Sequence, residues 1–81
     1  MALTRTVYYA MHRKPDQPYP LHSGAPFSNF LSAMLEARKL ARKGYCGWIL
    51  RIRETREQDW PDDQWLIDHS ADDAISWIEQ F

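Results

Sequence analysis

Between Ser28 and Gly44 the chain carries one apolar stripe, and its spacing allows only an amphipathic helix. Phe30, Ala33, Met34, Ala37, Leu40 and Ala41 recur at the three- and four-residue intervals that line one helical face, and Leu31 and Leu35 widen the stripe. Ser28 or Asn29 supplies the side-chain oxygen of an N-cap. Arg38, Lys39, Arg42 and Lys43 crowd the last turns, where cations complement the negative end of the helix dipole. Gly44 stands where a left-handed residue ends such a helix.

On both sides of this helix the period changes to two. Residues 4–12 (TRTVYYAMH) place Val7, Tyr9 and Met11 on one side and Thr6, Tyr8, Ala10 and His12 on the other. Residues 47–54 (GWILRIRE) set Trp48, Leu50 and Ile52 against Ile49, Arg51 and Arg53. Both segments read as strands. In the second, the Trp48 side is expected to pack and the arginine side to face water, as in an open antiparallel sheet.

The remaining segments are shorter. Residues 14–26 hold Pro15, Pro18, Pro20 and Pro26, which exclude a long central strand because proline removes a ladder donor. Residues 19–23 form either a short edge strand pairing with the first or an extended loop pinned by Tyr19 and Leu21. Residues 55–63 (TREQDWPDD) read as an acidic loop, and residues 64–69 (QWLIDH) as a strand in a hairpin with residues 47–54. Ser70 is placed to cap a second helix, with Asp72 and Asp73 in its first turn and Ala71, Ala74, Ile75 and Ile78 as its buried stripe; Trp77 and Phe81 lie at the margin. The expectation is a single α+β domain over residues 1–81. Two helices would pack on one face of a small, mainly antiparallel sheet of three to four strands, in the order β-(β)-α-β-β-α.

A chain of 81 residues buries a small core, roughly 60–65% of its extended surface, and that leaves little room for a substrate pocket. Cys46 is the only cysteine, so no internal disulfide exists; beside Gly44 and Gly47 it reads as a small apolar residue of a reduced compartment. No segment approaches the ~20 apolar residues of a membrane span, and the start has no signal-peptide run. These features predict a soluble, cytoplasmic protein.

Charge divides along the chain. Residues 1–53 carry nine basic groups against Asp16 and Glu36, a net +7, and residues 54–81 carry Arg56 against nine acids, a net −8. Fields of this kind steer encounter and select partners. Within the acidic part, Glu54, Glu57, Asp59, Asp62 and Asp63 bracket Trp60, a charged rim around an aromatic anchor as in protein-binding hot spots. Glu57, Asp59, Trp60, Asp62 and Asp63 with Asp72 and Asp73 form the candidate protein-partner surface, and the plain alternative is a solvated hairpin loop whose tryptophan folds back onto the sheet. Arg38, Lys39, Arg42, Lys43, Arg51 and Arg53 form the candidate nucleic-acid surface through phosphate contacts; the alternative is solvation or pairing with the acidic half.

No catalytic signature competes. Asp68, His69 and Ser70 are triad residue types, but adjacent positions do not place three side chains in relay. His12, His22, His69 and Cys46 lack metal-site spacing, and no glycine-rich phosphate loop occurs. Tyr8 and His12 could stack bases, but an RNA-recognition sequence is absent and packing is the better account. No metal, cofactor or enzyme activity is expected.

The aromatic strand VYYAMHR, the lead-in YPLHSGAPF, the helix FLSAMLEARKLARKG and the hairpin GWILRIRE…QWLIDH together resemble the small α+β proteins of phages and mobile elements, among them the anti-CRISPR inhibitors. The likeness is one of size and element order over the whole chain, and it carries over no individual residue. It implies a non-catalytic protein that binds a nucleic-acid-handling complex and blocks target recognition. The expected function is therefore a binding protein, monomeric or dimeric, that docks by charged surfaces on a protein or nucleoprotein complex. The alternative is a small nucleic-acid-binding protein; no membrane partner is expected.

Overall fold

A computed structural model describes residues 2–22 and 24–81. Its elements are β1 (Ala2–Arg13), β2 (Leu21–His22), α1 (Phe30–Arg42), β3 (Cys46–Glu57), β4 (Leu66–Ile67) and β5 (Ile75–Gln80). The five strands pair antiparallel in one sheet of order β2-β1-β3-β4, with β5 on β3 as well. The frame is the long ladder of β1 against β3, which runs without interruption from Ala2↔Glu57 to Arg13↔Cys46. At about 3.4 Å per residue this ladder is about 40 Å long, and it sets the shape of a molecule measuring 44 × 25 × 25 Å.

The helix forms where its pattern places it. Asn29 is the N-cap, its side-chain oxygen accepting from the Ser32 amide at 2.9 Å. Beyond Lys43, Gly44 takes φ 87° and its amide donates to the Ala41 carbonyl at 3.0 Å. The buried stripe is narrower than expected: Leu31 and Leu35 are each 59% exposed, because one helix lying on a sheet buries a single side and those two leucines sit beyond it.

The helix lies on the side of the sheet opposite to the one expected. Ile49 is fully buried, in a core with Ala10, Ala33 and Ala37, around which Tyr8, Phe27, Phe30, Met34 and Phe81 pack. Among the described residues no helix lies on the Trp48, Leu50 and Ile52 side. Size decides this, not hydropathy. Ala10, Gly47, Ala33 and Ala37 let the helix approach so closely that a Cβ at Gly47 would stand 2.8 Å from the Ala37 carbonyl oxygen. Arg51 shares the helix side but pairs with Tyr8 in register, and Tyr8 meets Phe30 at the helix N-terminus. Arg51 and Arg53 therefore emerge beyond that end of the helix.

The expected second helix is a strand. Residues 70–74 turn, with the Ser70 amide donating to the Asp68 carboxylate at 3.1 Å, and Ile75–Gln80 then pairs with β3 from Ile52 back to Trp48. Eleven residues form a marginal helix on their own. Here β4 covers only Glu54 and Thr55, so β3 offers an unpaired edge whose amides and carbonyls need partners. Ile75, Trp77 and Ile78 suit that strand, and a bulge at Ile78 absorbs the register shift. The sheet thus has five strands and the order is β-β-α-β-β-β.

Other boundaries also move. The strand expected at residues 64–69 shrinks to Leu66–Ile67, while β3 runs on to Glu57 through residues expected to be loop. The strand alternative for residues 19–23 is realised at Leu21–His22, pairing with His12 and Met11; Ser23 lies outside the described residues.

Candidate interaction surfaces

Because β1 and β3 pair over twelve residues in a molecule 44 Å long, whatever follows their ends is held far apart. The acidic loop leaves β3 at Glu57 and closes in two tight turns, the Trp60 amide donating to the Glu57 carbonyl and the Gln64 amide to the Pro61 carbonyl. A buried cation organises it. Arg56 is 6% exposed; its Nη2 donates to the Trp60 carbonyl and lies 3.7 Å from the Asp62 carboxylate, and its guanidinium lies 5.6 Å from the Trp65 ring centre. Trp65 in turn donates from Nε1 to the Asp62 carbonyl at 3.2 Å. Arg5 lies over the same indole at 4.2 Å and pairs with the buried Glu54 carboxylate at 2.8 Å. Asp59, Asp62 and Asp63 remain exposed at the tip, and Trp60 is half-buried.

Asp72 and Asp73 do not join that tip. They occupy the turn before β5, where Asp73 pairs with Arg51 at 2.9 Å. Arg51 is six residues from Glu57 along β3, roughly 20 Å. The candidate protein-partner residues therefore divide into the tip set (Glu57, Asp59, Trp60, Asp62, Asp63) and a separate pair.

The candidate nucleic-acid residues divide in the same way. Lys39, Arg42 and Lys43 are exposed at the helix C-terminus, and Arg38 lies over the Phe81 ring at 5.4 Å. Arg51 and Arg53 are at the other end of the helix, Arg51 engaged with Asp73. In their place the fold brings up Arg13 and Lys14 at the end of β1. Lys14 lies 5.7 Å from the Tyr45 ring centre, and His12 stacks on the same ring. A shallow depression of about 510 Å³ opens there between Arg13, Lys14, Gln17, Gly44 and Cys46.

The charge division of the sequence thus becomes a division in space. Arg51–Asp73 joins the two blocks at mid-length, and Arg5–Glu54 joins them nearer the acidic end. At one end stand Arg13, Lys14, Lys39, Arg42 and Lys43, and at the other Glu57, Asp59, Asp62 and Asp63.

A third surface was not singled out by its residues. The side of the sheet away from the helix carries Val7, Tyr9 and Met11 of β1, Trp48, Leu50 and Ile52 of β3, Ile67 of β4, and Ile75 and Trp77 of β5, as the registers require. Trp77 is 63% exposed. A depression of about 290 Å³ lies among Tyr9, Met11, Leu50, Ile52 and Ile67. Burial, then the Glu54 carboxylate, pushes the Tyr9 phenol above its usual range. The alternation of Trp48, Leu50 and Ile52 was the available signal for this face, read there as the packed side.

Among the described residues no three His, Cys, Asp or Glu side chains gather to hold a metal ion, and no helix is long and apolar enough to cross a membrane. No protein-family model, curated protein or solved structure matches the chain.

Proposed function

We propose that this chain is a non-catalytic docking protein that inhibits or modulates a nucleic-acid-processing complex, seating its acidic tip loop in a basic groove of that partner. One observation carries the reading: Asp59, Asp62 and Asp63 project from the end of a long ladder on a loop tied down by buried Arg56, about 40 Å from the opposing cations. A fixed row of carboxylates imitates a phosphate chain, and charge complementarity of this kind sets encounter rate and specificity. The anti-CRISPR-type inhibitors that the chain resembles in size and build are the model for such a role.

A second reading rests on the opposite end. Arg13, Lys14 and Asp16 line a depression against Gly44, and Lys39, Arg42 and Lys43 are exposed at the helix end that precedes it, a net cationic end suited to a nucleic-acid backbone.

Charge reversal separates the two. Asp59→Lys, Asp62→Lys and Asp63→Lys together are expected to abolish capture of the nucleoprotein partner while leaving the fold intact by circular dichroism. Lys39→Glu, Arg42→Glu and Lys43→Glu together are expected to leave that capture in place. Equal loss in both variants would sink the leading reading. Should labelled DNA or RNA bind instead, with affinity falling about 10²–10³-fold between about 50 and 200 mM salt and lost only in the second variant, the basic end is the functional surface.

A further inference from the structure

The sheet has two apolar sides and the helix covers one. On the other, Tyr9, Met11, Leu50 and Ile52 are half-buried, with His22 against Tyr9, and the apolar run ends in the exposed Ile75 and Trp77. Antiparallel sheets tolerate water on one side when that side is polar, and this one is not. A patch of this extent with a protruding tryptophan is built to be covered.

We propose that a second copy of this chain covers it, packed face to face with its strands reversed. Charge selects a second copy as the occupant. The face is apolar along its middle, and the arginine within it, Arg5, is neutralised by Glu54. Its two ends carry opposite net charge. A twofold axis running across the strands turns one copy end for end, so that Arg13, which stands on this face beside Trp48 and Trp77, comes toward the acidic end of the other copy. An axis along the strands would set like charges together at both ends, and is disfavoured.

The edge of the sheet fits the same operation. β5 and β4 lie in tandem on one side of β3, Trp77 opposite Leu50 and Ile67 opposite Glu54. Reversal about Ile52 brings the exposed Trp77 of one copy over Ile67 of the other, at the rim of the depression between Leu50 and Ile52. Sheets packed this way stand about 10 Å apart with strands near −30°. Lys14, Lys39, Arg42 and Lys43 lie on the helix side and stay accessible, whereas a cationic partner at the acidic tip would compete with Arg13 of the second copy.

Light scattering on the intact protein at tens of micromolar is expected to give twice the 9.6 kDa chain mass. Trp77→Glu and Ile75→Glu, each at an exposed position, are expected to halve that mass with an unchanged circular dichroism spectrum. A monomeric wild-type protein, an open-ended polymer, or a dimer indifferent to both substitutions would overturn the proposal. Orientation is read without relying on those variants. In Gln58→Cys, a short bismaleimide is expected to join Cys46 of one copy to the new thiol of the other. Efficient Cys46-to-Cys46 linkage in the wild-type protein would contradict the reversed packing.

Discussion

Alanine at position 47 is expected to destabilise the protein by about 2–3 kcal/mol, the upper range for forcing one methyl into a close contact. The added Cβ would stand 2.8 Å from the Ala37 carbonyl oxygen, a backbone atom with no rotamer to yield. Either the helix lifts from the sheet or β3 bends, and both open the core of Ala10, Ala33, Ala37 and Ile49. For a domain of 81 residues such a loss lowers the melting temperature by roughly 10–20 °C. Gly44→Ala provides the contrast. Nothing lies within 4 Å of a Cβ there, and its cost comes only from φ 87°, about 1 kcal/mol. Urea melts of the two variants should therefore differ by a clear margin, and equal midpoint shifts would mean that the helix does not approach as closely as described.

The second large effect is expected at Arg56. Arg56→Ala removes the buried guanidinium that bonds the Trp60 carbonyl, pairs with Asp62 and lies against Trp65. Losing a charged hydrogen bond together with the packing of its stem costs about 2–3 kcal/mol, and the Asp62 contact adds little because that carboxylate is exposed. The consequence for function runs against simple electrostatics. The variant is more acidic at the tip, yet it is expected to bind a cationic partner more weakly, because residues 58–65 lose their anchor and must be ordered on binding. Hydrogen exchange should show loss of protection at the Trp60 and Gln64 amides, with the amides of β1 and β3 little changed. Tighter binding by Arg56→Ala would mean that net charge alone drives docking.

Much of this architecture is legible in the residues. The helix from Phe30 to Arg42, with its caps, follows from local spacing, and so do the two long strands. Three features are not local and escaped. The pairing of Arg5 with Glu54, and through it the seating of Trp65, depends on a ladder joining residues far apart in sequence, whose register no periodicity specifies. The choice of helix face turned on Gly47 and Ala10, small residues that weigh little in a hydropathy pattern but decide how closely a helix can lie. The C-terminal segment satisfied two periods at once, with Ala71, Ala74, Ile75 and Ile78 at helical spacing and Ile75 and Trp77 at strand spacing. The open edge of β3 decided between them. The charged surfaces were half legible: the division of charge survives in space, but Asp72, Asp73, Arg51 and Arg53 leave the sets they were grouped with, and Arg13 and Lys14 enter.

That spatial division is the centre of the account, and amide chemical-shift mapping with two simple polyelectrolytes tests it most directly. Titration with heparin is expected to shift the amides of Arg13, Lys14, Lys39, Arg42, Lys43 and Tyr45 and leave the acidic tip unmoved. Titration with polylysine is expected to shift Glu57, Asp59, Trp60, Asp62 and Asp63 and leave the basic corner unmoved. Shifts from both polymers falling on one common set of residues, or spread evenly over the molecule, would contradict it.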